Sequence, residues 1–272
     1  MNDHYVFEAR DLAFGYPGGQ MALEAIDLAI RPTERVAILG ANGSGKSTLL
    51  KLLDGLYFAT GGNLLAFGQP LTESWLAVED NAFAFRRRVG FVFQDADVQL
   101  FSPTVWEEVA FAPLQMGWSA PEVRERVQRA LSWLRIEKLA DRPTYRLSGG
   151  ERKRVALASV LVLEPEVLLL DEPTANLDPR TTGTLIELLG ELHEKGCTIV
   201  IATHDLDTVG DIADRAYVLS EEHRLVGEGP LEEVLCNREL LLASNLVHEH
   251  PHRHGGRVHV HEHPHGHVHS EG

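Results

Sequence analysis

Cysteine is nearly absent from this 272-residue chain, and the two present, Cys197 and Cys236, share no motif. They supply neither a disulfide framework nor a thiolate metal site, and a reducing cytoplasm suits them. Long apolar runs are missing too. A bilayer-spanning helix needs about 20 apolar residues, whereas the longest stretch here, Val160–Leu170, is broken by Glu164-Pro165-Glu166. The N-terminus lacks the basic-then-apolar pattern of a secretory signal, so the expected place is the cytosol or the cytosolic side of a membrane. Basic residues are in deficit: 25 Lys and Arg against 40 Asp and Glu give a net charge of −15. A nucleic-acid-binding face needs the opposite balance, so no nucleic acid partner is expected, the run Arg86-Arg87-Arg88 notwithstanding.

What is present is a phosphate-binding pattern. Val36–Leu39 reads as a short buried strand and Lys46–Leu53 as the start of a helix. Between them Gly40-Ala-Asn42-Gly43-Ser44-Gly45-Lys46-Ser47, followed by Thr48, fits G-x-x-x-x-G-K-[ST]. Glycines let the backbone turn its N–H groups inward, and the helix adds the positive end of its dipole. Lys46 reaches β- and γ-phosphate oxygens, and Ser47 can ligate Mg²⁺. The chain therefore carries a nucleoside triphosphate site.

Upstream, Tyr5–Ala9, Leu12–Tyr16 and Ala25–Ile30 alternate apolar and polar residues around Pro17-Gly18-Gly19, as in an antiparallel sheet. Tyr16 is either a base-stacking ring or a half-buried strand aromatic. Downstream, Arg86–Phe93 leads to Gln94, and Thr104 is placed to cap a helix over Val105–Phe111. Val123, Val127, Ala130, Leu131 and Leu134 mark an amphipathic helix within 121–140. Ser148, Gly149 and Gly150 open a helical run, Arg152–Leu163, at a terminus receptive to anions. Val167–Leu170 is a buried strand ending in Asp171-Glu172, where one carboxylate can hold Mg²⁺ through water and the next can polarise a water. Thr198–Thr203, a third buried strand, delivers His204 to the end of the sheet where function gathers.

In this order the motifs resemble the ATP-binding subunit of ABC transporters, from about residue 5 to about residue 230. The resemblance implies an α/β P-loop NTPase (ABC ATPase) fold with a RecA-like core, an antiparallel β subdomain and a helical subdomain near 95–160. It makes Gln94 the Q-loop glutamine, Leu147–Glu151 the signature, Asp171 the Walker B aspartate, Glu172 the catalytic glutamate, Asn176-Leu177-Asp178 the D-loop, and His204 the switch histidine. Tyr16 matches the adenine-stacking aromatic. Glu151 stands where glutamine is commonest. Two subunits of this family, identical or paralogous, sandwich two ATPs with Mg²⁺, each nucleotide meeting Ser148, Gly149 and Gly150 of the other chain. Gln94, Ser47 and Asp171 would share the metal. Single-cassette length and lack of a coiled-coil insertion set aside translation and repair ATPases, and the signature sets aside nickel-insertion GTPases.

Gln94–Pro113 is similar to the narrower group of energy-coupling-factor importers of vitamins, nickel and cobalt. There the segment around Gln99-Leu100-Phe101 lies by the groove for a transmembrane T component, which works beside a substrate-binding membrane component. Packing of Leu100, Phe101 and Val105 into a core is compatible with this. Beyond 230, residues 231–246 are expected to be a helical extension and 247–272 a tail. The tail holds His248, His250, His252, His254, His259, His261, His263, His265, His267 and His269. Its prolines and glycines rule out a stable helix, so disorder is expected, and clustered imidazoles suit nickel, cobalt or zinc. The joint reading is a peripheral ATPase of a nickel or cobalt importer, with zinc or vitamin cargo as the alternative.

Overall fold

A computed structural model of the chain describes residues 5–254 and 257–264, with side chains through residue 247. The chain opens with β1 (Phe7–Gly15) and β2 (Met21–Ile30), then β3 (Arg35–Gly40) and α1 (Lys46–Leu53). β4 (Gly61–Ala66), β5 (Gln69–Pro70), α2 (Glu73–Leu76), α3 (Glu79–Arg88) and β6 (Val89–Val92) follow. A helical block comprises α4 (Ala96–Gln99), α5 (Val105–Gln115), α6 (Ala120–Trp133) and α7 (Gly149–Leu161). Then come β7 (Val167–Asp171), α8 (Pro179–Glu194), β8 (Thr198–Thr203), α9 (Val209–Ile212), β9 (Arg215–Leu219) and β10 (Leu225–Pro230). α10 (Leu231–Cys236), α11 (Arg238–Ala243), β11 (Val247–His254) and β12 (Arg257–Pro264) complete it.

The first sheet runs β2-β1-β4-β5 and the second β10-β9-β3-β8-β7-β6. In the second, β9, β3, β8, β7 and β6 are mutually parallel and β10 closes one edge antiparallel. The continuous apolar runs of β7 and β8 are what a strand covered on both faces requires. Alternate residues serve opposite faces: Leu39, Leu168, Leu170 and Ile201 join one core cluster, and Ile38, Val167, Leu169 and Val200 the other. The register pairs Leu39 with Thr203 and Asp171 with Ala202, so the carboxyl ends of β3, β7 and β8 lie side by side.

Three local expectations change. Tyr5–Ala9 and Leu12–Tyr16, read as separate runs, are mostly one strand, because a bulge with Asp11 at φ 48° absorbs the break in alternation. The helix within 121–140 ends at Trp133, and Arg135 at φ 55° turns the chain while Leu134 and Ile136 stay buried. In the tail, where disorder is expected, the backbones of β11 and β12 pair antiparallel, His248 with His263, His250 with His261 and His252 with His259. Proline and glycine exclude a helix but not an extended pair, and a two-residue repeat is strand periodicity. His265, His267 and His269 lie outside the described residues.

Candidate nucleotide site

The phosphate loop leaves β3 at Gly40 and enters α1 at Lys46. Gly45, at φ 107°, caps the helix, and a Cβ there would stand 2.5 Å from the Ala22 carbonyl oxygen. Only glycine satisfies both the conformation and the space. Lys46 is buried, with Nζ donating to the carbonyls of Gly40 at 2.8 Å and Ala41 at 3.1 Å, and lying 3.7 Å from Glu172. Burial lowers its pKa, opposed by Glu172 and Asp171. The ammonium is thus folded back into the loop whose backbone amides it would share with a phosphate.

At the end of β7, Ser47 Oγ donates to Asp171 Oδ1 at 3.0 Å. Burial raises the Asp171 pKa, opposed chiefly by that hydrogen bond. Two hard oxygens in contact are the donor chemistry Mg²⁺ selects. The next residue, Glu172, holds φ 44°. Its Oε2 accepts from Thr203 Oγ1 at 3.0 Å, and its Oε1 lies 2.8 Å from His204 Nδ1, which must donate because a carboxylate only accepts. That bond is the main cause raising the His204 pKa above its ordinary value.

A cavity of about 320 Å³ is lined by Tyr16, Asn42, Gly43, Gly45, Lys46, Ser47, Thr48, Gln94 and Glu172. Gly40, Ser44 and Asp171 adjoin it through the loop and Ser47. Tyr16 is half-buried, its hydroxyl 2.8 Å from Thr48 Oγ1 and its ring edge-on to Phe14 and Tyr57, and it also faces the cavity. Ser148, Gly149 and Gly150 are not part of that wall. They begin α7, where the Ser148 hydroxyl and the Glu151 carboxylate form a reciprocal cap, and a Cβ at either glycine would meet open space. Glu151 also accepts from Arg142 at 3.1 Å, and the Ser148 amide is the main cause lowering its pKa. Either Glu or Gln satisfies this cap.

The structure adds residues that motif reading passes over. Lys153, buried on the apolar stripe of α7, donates to the backbone carbonyls of Gln94 at 3.2 Å and Glu172 at 3.4 Å. Its place on that stripe is a periodicity signal available in the sequence. Thr203 orients Glu172. His223, at φ 64°, lines the nucleotide cavity with Nδ1 3.3 Å from the Ser44 carbonyl oxygen, and no local pattern announces it.

Comparison with known proteins agrees with this geometry. The ABC transporter family profile matches residues 23–175. Nickel import ATP-binding protein NikO of Rhodobacter capsulatus is 52% identical, covering 89% of this chain and 95% of the relative. The energy-coupling factor transporter ATP-binding protein EcfA of Methanoculleus marisnigri is 43% identical, covering 89% and 85%. The solved CbiO1 of Clostridium perfringens, described as part of the ABC transporter complex CbiONQ, superposes with a TM-score of 0.76 at 40% identity, covering 89% of this chain and 95% of that one. The chain belongs to the ATP-binding family of ABC transporters and is an ATPase whose hydrolysis of ATP powers transport.

Proposed function

We propose that the chain is the ATPase subunit of a nickel or cobalt importer of the energy-coupling-factor type, lying against the cytoplasmic face of the cell membrane. The observation that carries the cargo is the 52% identity to a nickel import protein across 89% of the chain. The tail supports it: the backbone pairing of β11 with β12 sets histidine opposite histidine at three alternate register positions, and imidazole is a good transition-metal ligand. The cassette, in this reading, extends to about residue 230, with 231–246 an extension and the histidine-rich segment an appendage.

Exposed surface supports the partners of this reading. On the helical block, Phe101 is 65% exposed and packs edge-on against Phe111 at 4.8 Å, with Val98 and Leu114 exposed beside them. Gln99 pins the segment by donating to the Ala156 carbonyl at 2.9 Å, and Val105 goes to the core. An apolar patch of this kind suits a membrane T component that works with a substrate-binding component. The open N-terminus of α7 suits a second ATPase subunit, a copy or a paralogue, whose nucleotide would meet Ser148, Gly149 and Gly150.

Within one site, Lys46 and the loop amides hold the phosphates, while Thr48 and the Tyr16 ring bound the base and sugar end. Ser47, Asp171 and Gln94 would hold Mg²⁺, which neutralises phosphate charge when bound. Glu172 accepts a proton from the attacking water, and His204, oriented by Glu172, stabilises charge on the phosphoryl oxygens. Catalysis is then positioning and electrostatics. The test is uptake of radioactive nickel, with cobalt and zinc as competitors, in cells with and without the gene. Loss of nickel uptake with cobalt competition supports the reading. Loss of zinc uptake alone overturns the cargo, and no change for any metal points to a vitamin.

A further inference from the structure

A second cleft, of about 470 Å³, lies away from the nucleotide between the end of α6, α7 and the start of α8. Its floor is apolar, formed by Trp133, Leu134, Leu157 and Leu185. Its rim carries Arg135, Arg154 and Arg180, with Lys153 deeper in the wall. Among the described residues none of the three guanidiniums makes an ion pair or hydrogen bond, although most arginines elsewhere in the chain do. Arg154 Nε is buried without a hydrogen-bond partner, and the Arg154 charge reaches Glu151 only through its field, as a minor cause lowering that carboxyl's pKa. The one carboxylate in the lining, Asp178, is fully engaged: Oδ1 accepts from the amides of Arg180 and Thr181, and Oδ2 from the Thr181 hydroxyl at 2.6 Å.

Uncompensated cations converging on one cleft are unexpected in a chain of net charge −15. A buried guanidinium nitrogen without an acceptor is costly, and an anion removes that cost. The apolar floor adds a second requirement, since a bare inorganic ion would leave it wet. We propose that this cleft binds a small organic anion with an apolar body, a carboxylate, sulfonate or phosphate ester on an aromatic or short acyl group. A ligand there touches the signature helix and the turn at Leu177-Asp178 at once. Through the Lys153 bonds to Gln94 and Glu172, the same wall backs the nucleotide site.

The test is a fluorescence titration of the full chain with 8-anilinonaphthalene-1-sulfonate, in saturating MgADP so that the nucleotide site is filled. One saturable site is expected, competed by octanoate and hardly by inorganic phosphate. The double variant Arg135→Ala/Arg180→Ala, altering two exposed side chains, is expected to fold normally by circular dichroism and to bind roughly tenfold more weakly, or worse. Phe101→Ala, on the remote apolar patch, should leave binding intact. Displacement by octanoate and not by phosphatidylglycerol vesicles assigns a soluble ligand, and displacement by both assigns a lipid. Unchanged affinity in the double variant, loss of binding in Phe101→Ala, equal competition by phosphate, or a non-saturating titration overturns the site.

Discussion

Glu172 combines three constraints that one side chain seldom carries together. It is buried, it sits in a left-handed conformation at φ 44°, and both carboxylate oxygens are taken by Thr203 and His204. A non-glycine residue held there costs on the order of 1 kcal/mol, and such strain persists where the surrounding structure over-determines it. Glu172→Gln keeps the shape and removes the proposed base. ATP binding should survive while turnover falls by about 10²–10⁴, and a nucleotide-bound dimer should accumulate; size-exclusion chromatography with ATP and a phosphate-release assay read both. His204 supplies a second residue-scale test. Its pKa is raised by the Glu172 bond, so its midpoint in an NMR titration should lie above the ordinary histidine value and fall back in Glu172→Gln. The sign for stability follows. The contact contributes fully below the unfolded histidine pKa, and the contribution is lost as pH rises through the raised folded value.

At the scale of elements, the ends of helices do much of the positioning. α5 begins with Thr104, whose hydroxyl accepts from the Glu107 amide while Glu107 returns a bond to Thr104, and α7 repeats the device with Ser148 and Glu151. Thr104→Ala should cost about 1 kcal/mol in urea denaturation, without a change in ATP affinity, since α5 does not touch the nucleotide cavity. The same scale explains what the sequence discloses. The phosphate loop, β7, β8 and both caps are legible because their signals are contiguous: glycine spacing, apolar runs, a cap and its partner three residues on. Lys153, Thr203 and His223 act on residues 19, 31 and 179 positions away, a proximity that only the parallel sheet and the packing of α7 create. The tail is less legible for a different reason. Proline and glycine content argues against a helix, and that argument is silent about pairing between two extended stretches.

For the whole molecule, two features act on fold and assembly rather than on a single site. Asp54, at the end of α1, is buried, and burial pushes its pKa to about 7 against the opposing field of Arg86. The folded chain therefore binds a proton that the unfolded chain releases, so stability falls as pH climbs from the ordinary carboxylate range towards 7. Asp54→Asn should flatten that slope and stabilise the protein above pH 7 by on the order of 2–4 kcal/mol, measured as Tm against pH. The second feature is the tail. Leu246 is fully buried and is the last core residue before β11; β11 lies against α11, and no described tail residue lines the nucleotide cavity. Ending the chain after Leu246 removes all ten tail histidines and leaves the ATPase elements complete. ATP hydrolysis should stay within about twofold of the full chain, because nothing in that site is lost. Nickel bound per chain, measured by equilibrium dialysis, should drop towards zero. Retained nickel stoichiometry would place the metal on the cassette, where no cluster of three or more histidine, cysteine or acidic groups suited to a metal is found among the described residues. Loss of ATPase activity instead would mean that the paired strands buttress the cassette through α11, and the tail would then be part of the engine rather than a metal-holding appendage.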